Sequence, residues 1–132
     1  AGGSRMPTTA ATVAGGFHWL KMEGQEVFRR AVRTIVESAG ATLGQAGMVA
    51  ADVDLFVPHQ ANARIIDAAA SRLGIPASRT FVNIDRYGNT SAASIPIALA
   101  EAADAGRLCR GDLVLLSGFG AGMSWASALL RW

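Results

Sequence analysis

Cysteine, lysine and charge are all scarce in this chain. Its one cysteine, Cys109, excludes an internal disulfide and suits a reducing compartment. Lys21 is the sole lysine, so the small positive excess, formally +2, is carried by arginine and does not by itself call for nucleic acid. Only 17% of the residues are charged against 51% hydrophobic, a balance that excludes intrinsic disorder. No apolar run reaches the roughly 18 residues of a membrane-spanning helix, and no basic-then-apolar signal opens the chain. The expectation is a soluble, cytoplasmic protein with neither membrane nor nucleic acid as partner. An initiator methionine is lacking too. The chain begins Ala1-Gly2-Gly3-Ser4 and stays small and polar as far as Gly16, which reads as a loop. Residues 1–20 are expected to be an incomplete edge and residues 21–132 a domain.

What is present suffices for one core, since a domain of about 150 residues buries roughly 68–70% of its unfolded surface. The clearest helix runs from Glu23 to about Ala41. Val27, Phe28, Ala31, Val32, Ile35, Val36 and Ala39 recur at helical spacing on one stripe, with Arg29, Arg30, Arg33 and Glu37 outside it. Gly40, Gly44 and Gly47 are expected to loosen and end it. Asp54 to Val57, stopping at Pro58, reads as a buried strand. A second helix follows from about Ala61 to Leu73, closed by Gly74 and Pro76. Thr80-Phe81-Val82 reads as a short strand and Asn83 to Asn89 as a polar loop. A third helix is expected from Ser91 to Ala105, with Pro96 near its start where a missing N–H costs least. Leu113 to Ser117 and Ser124 to Trp132 read as strands joined by a glycine turn, Gly118 to Gly122. The layout is α/β: helices on a mostly parallel sheet whose last strand turns back antiparallel.

In open α/β sheets, ligands bind beyond the carboxyl ends of the strands. On this reading that rim holds Pro58-His59-Gln60-Ala61-Asn62, Arg86-Tyr87-Gly88-Asn89-Thr90-Ser91 and Gly118-Phe119-Gly120-Ala121-Gly122. Singly, each has an ordinary explanation. His59 suits a hydrogen-bonded histidine at a strand end, Gly88-Asn89 is a common turn pair, and the glycines simply join two strands. A dinucleotide-binding Gly-x-Gly must open a helix. Here it precedes Ser124-Trp125-Ala126-Ser127, which reads as strand, so that motif is rejected.

Together the segments are far more specific. Val57-Pro58-His59-Gln60-Ala61-Asn62-Ala63-Arg64-Ile65-Ile66 is similar, nearly residue for residue, to the histidine segment of β-ketoacyl-acyl-carrier-protein synthase III. Arg86-Tyr87-Gly88-Asn89-Thr90-Ser91-Ala92-Ala93-Ser94-Ile95-Pro96 resembles that family's asparagine segment equally well, and the thirty-residue step from His59 to Asn89 suits it. Gly111-Asp112-Leu113 through Arg131-Trp132 matches its C-terminus. The resemblance runs from about Met22 to the end and implies the C-terminal half of a thiolase-like fold.

The resemblance also implies a chemistry. In that family an acyl group passes from coenzyme A to a cysteine. A malonyl group on acyl carrier protein then loses carbon dioxide, and its enolate attacks the acyl-cysteine. The implied catalytic pair is His59 and Asn89, whose N–H groups hold the negative charge that grows on the thioester oxygen. The backbone N–H of Ala121 would serve the acyl-transfer oxyanion, and Phe119 would wall the decarboxylation pocket; a core aromatic at a strand end is the competing reading of Phe119. Gly24, Phe28, Ala61, Asn62 and Ile65 match positions lining the pantetheine tunnel, although Phe28 and Ile65 also suit plain helix core. Arg64 matches an arginine that contacts the carrier protein, and Arg29 and Arg72 would extend its patch. Implied partners are acyl carrier protein, acyl-CoA, the N-terminal half of the enzyme and a second copy in a homodimer. No metal and no cofactor beyond these substrates is expected. The family's nucleophilic cysteine belongs to the first half, at a strand-to-helix turn that lowers its pKa. Cys109, in the loop Gly106 to Gly111, sits at the wrong end of its strand for that work. Two other readings stay open: an acyltransferase or ketosynthase of polyketide-type metabolism, and a half that docks carrier protein without catalysing anything.

Overall fold

The computed structural model describes residues 2–19 and 21–132. In chain order the elements are α1 (Ala10–Ala14), α2 (Gly24–Gln45), β1 (Leu55–Pro58), α3 (Ala63–Leu73), α4 (Ile84–Tyr87), α5 (Ser94–Asp104), β2 (Leu113–Gly120) and β3 (Ser124–Arg131). β2 is the middle of the sheet. It runs parallel to β1, from Leu55 opposite Val114 to Pro58 opposite Ser117. On its other side it runs antiparallel to β3, from Leu113 opposite Arg131 to Gly120 opposite Ser124.

Successive strand residues face opposite ways, and here both faces are covered. Phe56 and Leu115 point to one side, into Val32, Ile35, Ala39 and Leu43 of α2 and Ile65 and Ala69 of α3. Leu55, Val57 and Val114 point to the other, into Ala98 and Ala102 of α5 with Phe81 and Leu108. That double cover explains why β1 is an unbroken apolar run rather than an alternating one. No helix among the described residues is long and apolar enough to cross a membrane.

Boundaries differ from the sequence reading where local signals compete with packing. α2 runs through Gly40 and Gly44 to Gln45. A glycine inside a helix costs about 1 kcal/mol, but Leu43 extends the buried stripe by another turn and is only 4% exposed, worth roughly 1.5–3 kcal/mol. α3 begins two residues later than expected because Asn62 caps it, its side chain accepting from Arg64 N at 2.9 Å. Gly74 ends α3 in the left-handed conformation, φ 75°, as its place before Pro76 suggested.

The expected third helix starts with a 3₁₀ turn over Ser91–Ala93 before α5 proper. Thr80 makes a single parallel bridge to Phe56 rather than a strand. The polar loop before Asn89 contains α4. β2 continues through Gly118 to Gly120, so the turn into β3 is shorter than the glycine run. Backbone pairing with Ser124 and Ala126 needs no side chain, which is why glycines serve there. Residues 1–20 are not loop throughout. They hold α1, capped by Thr9, whose hydroxyl accepts from Thr12 N at 3.2 Å. α1 buries nothing, and Ala1 and Leu20 of that segment lie outside the described residues.

Candidate active site

A cleft of about 910 Å³ opens where β1 and β2 end, roofed by the first turns of α2 and α3. His59, Asn89, Phe119, Ala121, Gly24, Phe28, Ala61, Asn62, Ile65, Arg64 and Arg29 all line it. Each was singled out from the sequence. Arg72 is not brought in: it lies in the last turn of α3, about 12 Å along the axis from Arg64 at 1.5 Å per residue. Lys21, Met22, Gln25, Val27, Gly120, Gly122 and Met123 complete the lining.

His59 leaves the end of β1 with its backbone still in the ladder, His59 N donating to Ser117 O at 2.8 Å. Its ring has two neighbours. Nδ1 lies 2.6 Å from Ser94 Oγ, and the ring meets Phe119 edge-on at 5.6 Å between centroids. Ser94, in the first turn of α5 and 2% exposed, also accepts the backbone N–H of Gln60 at 3.2 Å. Partial burial pushes the imidazole pKa down from 6.5, since a poorly solvated ring resists charging. His59 is therefore neutral at pH 7.

Asn89 is fixed differently. Its Oδ1 accepts Ser91 N–H at 2.9 Å, which leaves the NH₂ group as the free end of the amide. Gly88 before it sits at φ 66°, ψ −160°, a region open essentially to glycine alone. Ser91 follows at φ 53°, uncommon for a residue with a side chain. The backbone on both sides of Asn89 is thus set by special conformations.

At the mouth, the Arg64 guanidinium stacks over Phe28, 5.8 Å from the ring centroid. Arg29 is paired with Glu26 at 3.0 Å, which Arg30 also holds at 2.5 Å. Arg30 above all keeps the Glu26 carboxyl below its usual range. Arg64 is thus the more available of the two charges. Cys109 is exposed in the loop before β2, whose first residue, Leu113, is already some 20 Å from Phe119 at about 3.3 Å per strand residue.

These geometries match known proteins. The family model described as 3-oxoacyl-[acyl-carrier-protein (ACP)] synthase III C terminal matches residues 43–132. A curated β-ketoacyl-[acyl-carrier-protein] synthase III of Symbiobacterium thermophilum is 53% identical over 132 residues, all of this chain and 40% of the relative. The chain belongs to the synthase III family. The crystal structure of 3-oxoacyl-[acyl-carrier-protein] synthase III from Aquifex aeolicus superposes with a TM-score of 0.85 at 50% identity, covering 86% of this chain and 37% of that one. The priming β-ketosynthase of a polyketide biosynthetic pathway superposes at 0.77 with 43% identity, over 84% of this chain and 34% of its own. The thiolase-like α/β fold expected from the motifs is this chain's fold. Measured against its curated synthase III relatives, the chain spans 40% of their length.

Three side chains around the site were quoted within, or lie just beyond, the synthase III segments yet received no role from the sequence: Ser94, Gln60 and Glu101. Their spacing hints at it. Ser94 and Glu101 stand two turns apart on α5, hence on one face.

The neutral imidazole has a measurable consequence. With His18 replaced to leave a single resonance, an NMR titration of His59 should give a midpoint below 6.5. The unfolded chain then binds more protons between that midpoint and about 6.5, so stability is full above this window and falls as pH drops through it. A midpoint above 6.5 would place an unseen negative charge beside the ring.

Proposed function

We propose that this chain is the C-terminal half of a decarboxylating condensing enzyme. It joins an acyl group from acyl-CoA to malonyl-acyl-carrier-protein and so initiates fatty acid synthesis. The observation that carries this reading is the pairing of His59 and Asn89 in one cleft, each held at one end of its polar group. Gln60 N–H donates to Ser94 Oγ, and we assign the Ser94 hydroxyl as the donor to His59 Nδ1. The imidazole proton then sits on Nε2, as a donor. The Asn89 amide, tied down at Oδ1, likewise offers only N–H.

Two neutral donors suit an oxygen that gains charge as carbon dioxide leaves. Neither competes strongly for a proton, and neither needs to reorganise as charge develops. Phe119, edge-on to His59, presents an apolar wall that disfavours the malonyl carboxylate and favours its loss as carbon dioxide. Gly24, Phe28, Ala61, Asn62 and Ile65 line the approach for a pantetheine arm, and Ala121 N–H serves the acyl-transfer oxyanion. Arg64 at the mouth receives the acidic carrier protein, with Arg29 and Arg72 further out. The nucleophilic cysteine comes from the N-terminal half. The same reading carries a cytoplasmic location and a dimeric complete enzyme.

A full-length enzyme carrying this chain should release labelled carbon dioxide from carboxyl-labelled malonyl-acyl-carrier-protein in step with ketoacyl product. Cys109→Ser should leave that rate unchanged. Loss of turnover in Cys109→Ser with the fold intact would overturn the assignment of the nucleophile to the other half. The polyketide-type reading is favoured by the likeness to the priming β-ketosynthase. Acyl transfer without carbon dioxide release would select an acyltransferase.

A further inference from the structure

Glu101 lies outside the cleft, yet three donors from one short segment converge on its carboxylate. Asn83 Nδ2 donates to Oε2 at 2.7 Å, Arg86 Nη2 to the same oxygen at 2.7 Å, and the Tyr87 hydroxyl to Oε1. These donors span residues 83–87, which include all of α4 and end two residues before Asn89. One turn of helix cannot hold itself: nucleating a turn fixes several dihedral angles for a single hydrogen bond. α4 buries no residue of its own. Its place is set from outside, chiefly by Glu101 through three side-chain donors and at its entry by Gln60.

The other end of α5 performs the matching task. Ser94, seven residues earlier on the same face, holds His59 Nδ1. One rigid helix, about 10 Å between these two positions at 1.5 Å per residue, is therefore tied to both donor segments. Between the segments runs a third tie, Asn83 N donating to Gln60 Oε1 at 3.0 Å.

We propose that Glu101 is a positioning residue for Asn89. By clamping residues 83–87 onto α5, it fixes the reach of the Asn89 amide relative to His59. The inference rests on Asn89 being a donor in decarboxylation. Displacing a reacting group by about 1 Å can cost on the order of 10²-fold in rate, so a residue that never touches substrate can matter this much.

The test uses a full-length enzyme carrying this chain, with malonyl decarboxylation and cysteine acylation assayed separately. Glu101→Gln keeps the shape but replaces one of the two acceptor oxygens with an NH₂ group, so the three donors can no longer all be served. Decarboxylation should fall by up to about 10²-fold, while acylation by acyl-CoA stays at the wild-type rate. Adding Glu101→Gln to Asn89→Ala should cost nothing further, because the residue being positioned is already gone. Tyr87→Phe removes one exposed donor and should give a smaller loss of the same kind, even if Glu101→Gln folds poorly. A wild-type decarboxylation rate in both variants overturns the proposal. So does a parallel fall in both half-reactions, or a full additional loss in the Asn89→Ala background, since each marks Glu101 as merely structural. If Asn89→Ala itself decarboxylates at the wild-type rate, the functional reading of Asn89 fails first and takes the proposal with it.

Discussion

In a full-length enzyme carrying this chain, His59→Ala and Asn89→Ala should each slow malonyl decarboxylation by about 10²–10³-fold, roughly 2.7–4 kcal/mol of transition-state stabilisation. The size follows from what each side chain can offer. His59 is neutral because burial lowers its pKa, and Ser94 occupies Nδ1. Asn89 has its oxygen occupied by Ser91 N–H. Each therefore contributes one aimed donor and nothing else. The double variant should lose less than the product of the single effects, since donors to one oxygen act as a unit. Acylation of the cysteine should fall much less in both. His59→Gln sharpens the test, because it retains an N–H without the ring and should recover part of the rate. Wild-type decarboxylation in either single variant, measured with folding confirmed by thermal melts, would show that residue to have another task. Equal damage to acylation by His59→Ala would recast the imidazole as the base that activates the thiol.

What could be read in advance, and what could not, divides along the range of the forces involved. The stripe from Val27 to Ala39 declared α2 because helical periodicity is local, and the all-apolar Leu55-Phe56-Val57 declared a strand covered on both faces. The rule that ligands gather at strand ends puts the segments of His59, Asn89, Phe119 and Ala121 on one rim, and all four residues line the cleft. Asn89 reaches that rim by way of Thr80-Phe81-Val82, of which the structure keeps a single bridge rather than a strand, and its role comes from the motif alone.

The misses are tertiary. α2 outlasted its glycines because Leu43 still found the core. The end of β2 read as a turn because glycine suggests one, whereas pairing with β3 required only backbone. α4 hid in a polar loop because its support comes from Glu101, fourteen residues beyond Tyr87. Ser94 and Gln60 sat inside quoted segments without roles, for a motif says which residues accompany the chemistry but not which of them bond to one another.

Gln60 carries the second large effect, this one on stability. It is 1% exposed and satisfies three backbone groups at once. Nε2 donates to Pro58 O at 2.9 Å and to Phe81 O at 3.1 Å, and Oε1 accepts from Asn83 N at 3.0 Å. It thereby ties the end of β1 to the chain entering α4. Each buried polar group left without a partner costs about 1–3 kcal/mol, so Gln60→Ala should destabilise the folded protein by roughly 3–5 kcal/mol in chemical denaturation. Gln60→Leu should do little better, since it fills the space but pairs nothing. Gln60→Glu distinguishes hydrogen bonding from volume. Its shape is retained, but an ionised carboxylate would face the carbonyls of Pro58 and Phe81 with no proton to give. Burial and those carbonyls should raise the new carboxyl's pKa above the unfolded value of about 4.3. The sign follows from proton counting. Between the two pKa values the folded state binds the extra proton, so stability is fully present below about pH 4.3 and is lost as pH rises through the folded pKa. Relative to the wild type measured at each pH, the Gln60→Glu deficit should be about 1–3 kcal/mol near pH 4, where a single O–H serves only one of the two carbonyls, and larger at pH 7. A deficit that is the same at both would mean that Nε2 is not the donor to Pro58 and Phe81, and that Gln60 holds the two segments together by packing alone.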